Sequence, residues 1–301
     1  MANEILPSSI GDLIAGEVMA TEYLYLLADR DQSILNHPAL FYAQGESVRS
    51  NVVRVPHIGL GGYDLLSSST PGSEVANTAL TDGSTDVTIA PYAKRYFVDD
   101  LSKYITAGQL GAAEFARDLL IARGQTLINL IANVGDDFTS TVGTSGTDID
   151  WDDIADAKAT LGIAKASGQA MCILHPRQWG DLEKAALSLG VLPAESMSGA
   201  IMAGFDSYKG RYMGVDFFTS SHVPTANAAA DRAGCMFVRG GIAWADAMMD
   251  GEGDANILDL GAARLERVRQ GEYLATSWLF STYCGVAKAI DGAGVAIITD
   301  A

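Results

Sequence analysis

Between Pro56 and Tyr92 the chain reads PHIGLGGYDLLSSSTPGSEVANTALTDGSTDVTIAPY, and no other stretch restricts the fold as much. About half of the residues from Gly59 to Asp86 are Gly, Ser or Thr, and His57 to Ala93 contains no Lys or Arg. Leu60, Tyr63, Leu65, Leu66, Val75 and Leu80 are spread along it at neither a helical nor a strand period. Ordering a chain costs about 1–2 kcal/mol per residue. A segment this poor in apolar surface cannot offset that alone. Either it stays disordered, or a surface outside the subunit holds it. Its flanks read as strands, residues 46–58 with Val48, Val52, Val53 and Val55, and residues 86–99 with Val87, Ile89, Tyr96 and Val98. The stretch is then a long excursion between two matched strands.

Upstream, residues 8–29 read as a helical arm, with Ser9 as cap and Ile10, Leu13, Ile14, Leu24 and Leu27 as its apolar face. Downstream, residues 109–134 carry the clearest helical period in the chain. Leu110, Ala113, Leu120, Leu127, Ile131 and Val134 recur at three-, four- and seven-residue intervals and form one apolar stripe. The polar run TSTVGTSGTDID then marks a boundary. Beyond it, DWDDIADAKATLGIAKA predicts a helix opened by acidic residues that suit its positive end. QAMCILH predicts a buried strand, and PRQWGDLEKAALSL a helix with Pro176 in its first turn. RYMGVDFFTS and GCMFVRGG predict further strands, and EYLATSWLFSTYCGVAKAID with GVAIITD a closing strand pair joined at Asp291-Gly292-Ala293-Gly294. The class is α+β without a regular βαβ rhythm.

Charge and composition narrow the function. Among 301 residues, 48% are hydrophobic and 19% charged, so a large core is available. The net charge of -17, with no basic run longer than Lys94-Arg95, argues against a nucleic-acid-binding surface. Cys172, Cys235 and Cys284 are far apart, without CxxC spacing, and read as buried reduced thiols. The amino terminus shows no signal peptide, and no apolar run is long enough for a membrane span.

No motif carries chemistry. Cys172 and His175 would point to opposite faces of a strand, so one ion cannot readily take both. His175 reads instead as a hydrogen-bonding residue near the following helix start. His222 lies among serines without a GxSxG elbow or a placed acid. GLGG at residues 59–62 lacks nucleotide-binding spacing. The acidic groups at 99–100, 136–137, 150–153 and 252–254 lack the pattern of a calcium loop. The expectation is no catalytic residue, no metal and no cofactor.

The order of parts resembles the major capsid proteins of tailed phages, the Hong Kong 97-like fold. The likeness rests on the arm, the charge-poor excursion, the long helix, ILHPRQWGDL, GRYMGVDFFTSSHVP and AKAIDGAGVAIITD, in that order over essentially the whole chain. It implies an amino-terminal arm (1–45), an extended loop with its base strands (46–99), a peripheral domain with a spine helix (100–148 and 255–301), and an axial domain (149–254). It implies that Leu60, Tyr63, Leu65, Leu66, Val75 and Leu80 contact a neighbouring copy. It implies hexamers and pentamers of an icosahedral virion shell around double-stranded DNA, made in the host cytoplasm, with portal, scaffolding and cementing proteins as further partners. The DNA would be enclosed without specific binding, and no membrane would be involved. Some members crosslink a loop lysine to a neighbour; this loop has none, so no such bond is expected. Some carry a removable scaffolding extension; this chain starts almost at its arm, so a separate protein or none would guide assembly. An encapsulin-like compartment shares the fold, and a soluble enzyme using Cys172, His175 or His222 is the rival of another class.

Overall fold

The computed structural model describes residues 4–5, 34, 37–43, 51–59, 81–100, 112–188, 208–247, 257–259 and 263–300. The helical arm, the six loop residues from Leu60 to Leu80, and Leu110 lie outside them. Strand β1 is Glu4–Ile5, β2 Phe41–Tyr42, β3 Val52–Gly59, β4 Thr81–Thr88, β5 Ala90–Asp99, β6 Thr141–Val142, β7 Ala170–Leu174 and β8 Tyr208–Tyr212. Next come β9 Val215–Thr219, β10 Thr225–Ala226, β11 Asp231–Phe237, β12 Ile242–Asp246, β13 Ile257–Asp259, β14 Ala263–Gln270, β15 Ala275–Lys288 and β16 Gly294–Asp300. Helix α1 spans Ala112–Asp136, α2 Trp151–Ile163 and α3 Pro176–Ser188.

The strands form two seven-stranded sheets and a separate hairpin of β3 and β4. The first sheet is built on β15, its 14-residue spine. Strand β5 pairs with it from Ala275 to Cys284, β14 from Ala275 to Thr282, and β12 from Cys284 to Lys288. The second runs β6-β16-β11-β7-β9-β8, with β10 also on β11. Its central strands are buried on both faces because their alternate side chains feed two cores. Met171, Ile173, Phe218, Cys235, Phe237 and Ala296 join Leu127 and Ile131 of α1 on one side. Cys172, Leu174, Phe217, Met236, Val295 and Ile297 meet Ile154, Leu161, Trp179 and Leu182 of α2 and α3 on the other. At roughly 25 cal/mol per Å² of apolar surface, these two cores are the main source of stability.

Local chemistry explains the helix starts. Asp150 accepts from the amides of Asp152 and Asp153, while Asp153 accepts from the Asp150 amide, a reciprocal cap on α2. Gln178, fully buried in α3, donates to the Arg232 carbonyl at 3.1 Å and Thr299 Oγ1 at 2.8 Å, tying the helix to β11 and β16.

Three expectations change. RYMGVDFFTS is two strands, because Met213 and Gly214 take positive φ (53° and 81°) and turn β8 back onto β9. The closing strands do not pair with each other. Strand β15 has its partners in the first sheet, and the turn at Asp291–Ala293 sends β16 into the second, between β11 and β6. The return strand of the excursion is β4, not residues 86–99; after Ile89 the chain enters the first sheet as β5. Both large sheets draw strands from distant parts of the sequence. Strand β12 joins the first sheet, while β6 and β16 join the second.

Candidate functional site

Two places stand out, the hairpin of β3 and β4 and the stretch 37–43 that touches both large sheets. Strands β3 and β4 pair over their full length, from Val52 with Thr88 to Gly59 with Thr81. In β4, TDGSTDVT, Thr85 and Val87 alternate with exposed Ser84, Asp86 and Thr88. Arg54 and Asp86 face each other across the hairpin in a two-pronged contact of 2.8 and 3.2 Å. Being exposed, that pair adds little stability but fixes register. The apolar side of the hairpin, Val53, Val55 and Val87, packs on Ala43, Ala243, Ala245 and Ala289. Thr85 Oγ1 donates to the Ala289 carbonyl at 3.0 Å, so the hairpin sits on a bed of small side chains.

The second place is residues 37–43. His37 Nδ1 accepts from the Ala39 amide at 3.2 Å, which leaves Nε2 as the donor to Asp216 Oδ2 at 3.0 Å. Gln169 also donates to that carboxylate, and Tyr208 donates to its other oxygen at 3.3 Å. Burial works to raise the Asp216 carboxyl, but the hydrogen bonds from His37 and Gln169 hold it below the usual carboxylate range. Farther on, β2 pairs in parallel with β12, and the rings of Tyr42 and Trp244 lie 4.7 Å apart. The Tyr42 hydroxyl donates to Asp246, whose other oxygen receives Arg123 of α1 at 3.4 Å. Burial first, then Asp246, push the Tyr42 phenol up to about 12.

The sequence candidates for chemistry sit differently. His175 Nδ1 accepts from the Arg177 amide at 3.3 Å at the start of α3. In the turn after β9, the His222 amide donates to Ser220 Oγ at 3.1 Å. The three cysteines are buried and unbridged. Burial raises all three thiols, Cys172 well above its ordinary value, Cys235 to about 12 and Cys284 to about 11. Such groups are poor nucleophiles at neutral pH. Among the described residues no group of His, Cys, Asp or Glu could hold a metal ion, and no helix is long and apolar enough to cross a membrane. Of the stripe positions, Leu127 and Ile131 are fully buried and Val134 packs against the same core. The sequence reading found strands at the base of the excursion but missed residues 37–43 and the carboxylates Asp216 and Asp246 that hold them; His37 and Asp216 are separated by 179 positions.

No family model matches the chain, and no curated protein is similar to it in sequence. Solved structures are similar in fold. The capsid structure of cyanophage P-SCSP1u is 13% identical with a TM-score of 0.58, covering 99% of this chain and 91% of that one. The chain has the Hong Kong 97-like capsid fold. The Ralstonia phage GP4 capsid shares the capsid fold at 13% identity and TM-score 0.58, over 86% of this chain and 85% of that one. The holo-SrpI encapsulin complex of Synechococcus elongatus matches at 15% identity and TM-score 0.59, over 90% and 88%. In this capsid fold α1 is the long helix packed between the two sheets, and the β3–β4 hairpin is the base of the excursion.

Proposed function

We propose that the chain is a major capsid protein, a structural subunit whose copies assemble as hexamers and pentamers into the icosahedral head of a phage around double-stranded DNA. The observation that carries this reading is the extent of the fold similarity, which covers 99% of this chain and 91% of a phage capsid chain. The seated hairpin supports it. A paired base set on small residues carries a long, cation-free segment, and ordering a segment so poor in apolar residues needs a second surface. Leu60, Tyr63, Leu65, Leu66, Val75 and Leu80 are its apolar anchors on a neighbouring copy. The net charge of -17 suits a wall that encloses DNA without gripping it. Because the loop lacks lysine, the shell holds together without covalent loop crosslinks and separates into single chains in hot denaturing detergent. Portal, scaffolding and cementing proteins are its expected partners.

The similarity to the SrpI encapsulin favours a second reading, a shell around protein cargo. The contents of purified particles decide between them. Nuclease-protected double-stranded DNA in particles from an infected host supports the phage head. Particles carrying a co-purifying protein and no DNA support the compartment.

A further inference from the structure

Besides the longer link from β5 through α1 to β6, two short chain crossings join the two sheets side by side. Strand β11 of the second sheet passes into β12 of the first through residues 238–241, and β15 of the first passes into β16 of the second through residues 289–293. The crossings are bonded to each other. The Val238 amide donates to Ala293 O at 3.0 Å, the Ala289 amide to Gly241 O at 2.9 Å and the Ile290 amide to Gly240 O at 3.0 Å. Gly240 takes a φ of 95°, which most side chains avoid. Two short, mutually bonded connectors crossing together have the form of a hinge, where a few element-terminal residues absorb a rotation.

Residues 37–43 cross between the same two sheets, with Phe41 opposite Ala243 and Ala43 in one cluster with Ala289 at the crossings, while the His37 end reaches β9. Their His37 end is held by Asp216 on β9, two strands beyond β11 in the order β11-β7-β9. The His37 ring also meets Phe218 edge-on, with centroids 5.6 Å apart. Their other end is held by the first sheet. Tyr42 donates to Asp246 of β12, and the Ala43 amide donates to the Trp244 carbonyl at 2.8 Å. Between the grips, Ala39 and Leu40 are buried in the core under α1. Both grips use a buried carboxylate with several donors, which is costly to break on one side only because the carboxylate then stays buried with fewer partners.

We propose that residues 37–43 are a strap that fixes the angle between the two sheets, closing a hinge formed by residues 238–241 and 289–293. Releasing the His37 end lets the sheets rotate while each sheet stays intact. The strap also places the end of the amino-terminal segment on both sheets at once, so whatever moves that segment acts on the inter-sheet angle. The inference does not depend on shell formation.

The test uses the full chain with spin labels on two exposed positions, I163C on α2 and V268C on β14, and measures the distance distribution between them with and without His37→Ala. Hydrogen exchange of the Ala39 and Ala43 amides is followed in the same proteins. In His37→Ala the strap amides exchange about tenfold faster or more, the label distribution broadens or splits, and the Met236 and Ala296 amides of the second-sheet ladder keep their protection. Faster strap exchange with an unchanged distribution would overturn the proposal, as would no change in either. Should His37→Ala also loosen the ladder, Asp216→Asn, which keeps the side-chain shape, takes its place with the same criteria.

Discussion

Gly285 of β15 lies directly beneath the backbone of Thr88, where the hairpin gives way to the first sheet; a Cβ built on it would stand 2.1 Å from the Thr88 carbonyl oxygen. The neighbours within reach are backbone atoms, Thr88 C at 2.8 Å and Ile89 Cα at 3.2 Å, so no flexible side chain can yield. The hairpin therefore rests on the one residue type that allows it to come this close.

Gly285→Ala is expected to lift Thr88 and Ile89 and tilt the hairpin off Ala243, Ala245 and Ala289. Overpacking of this kind costs about 1–3 kcal/mol. Denaturant unfolding should show the loss, and particle yield should fall further than stability alone explains. An unchanged midpoint with normal particles would contradict the seat.

Asp216 gives the strap a pH dependence. Its folded carboxyl lies below the usual range, so it adds stability above the unfolded value of about 3.9, and that contribution disappears as pH falls through the lower folded value. The groups facing it are His37, Gln169, Tyr208 and Arg211. Urea midpoints measured from pH 7 downward should drop most steeply in the acid range below about pH 4, and Asp216→Asn should flatten that part of the profile. A parallel profile in the variant would mean that other carboxylates set it.

The thiols offer a simple readout of packing. With Cys235 raised to about 12 and Cys284 to about 11, and Cys172 raised by burial as well, the folded chain holds almost no thiolate at pH 8. A thiol reagent should label none of the three in the folded protein within minutes and all three after denaturation. Rapid labelling of any one without denaturant would show its core to be open.

Helix α2 depends on its cap. Asp150→Ala removes the acceptor for two amides and should cost about 1 kcal/mol, read as a lower unfolding midpoint; Asp150→Asn should recover most of it.

How much of this could be read from the residues alone follows from what each segment buries. AMCIL feeds two cores and is apolar throughout, so β7 is legible in the sequence. The helix at 112–136 is legible because Leu127, Ile131 and Val134 fall on one side and meet one core. Strand β14, ARLERVRQ, escapes notice because Ala263 and Leu265 are its only buried apolar residues. Strand β4 hides in Ser, Thr and Asp because one of its faces is exposed. The turn at Asp291–Ala293 looks like that of a hairpin, and nothing near it tells that β15 is already flanked by β5, β12 and β14. The carboxylate grips are invisible for a different reason. Tyr42 and Asp246 lie 204 positions apart, and no local pattern records a contact made by the fold as a whole.

The central claim is that copies of this chain hold one another through the excursion seated on β3 and β4. Gly59 and Thr81 are already paired, so residues 60–80 can be replaced by an Asn-Gly turn without disturbing the hairpin base. Electron microscopy of the full chain and of this shortened form, purified side by side, tests the claim most directly. Closed particles from the full chain, and only folded, unassembled subunits from the shortened one, are the expected result. Identical particles from both proteins, or none from the full chain at any concentration, would contradict it.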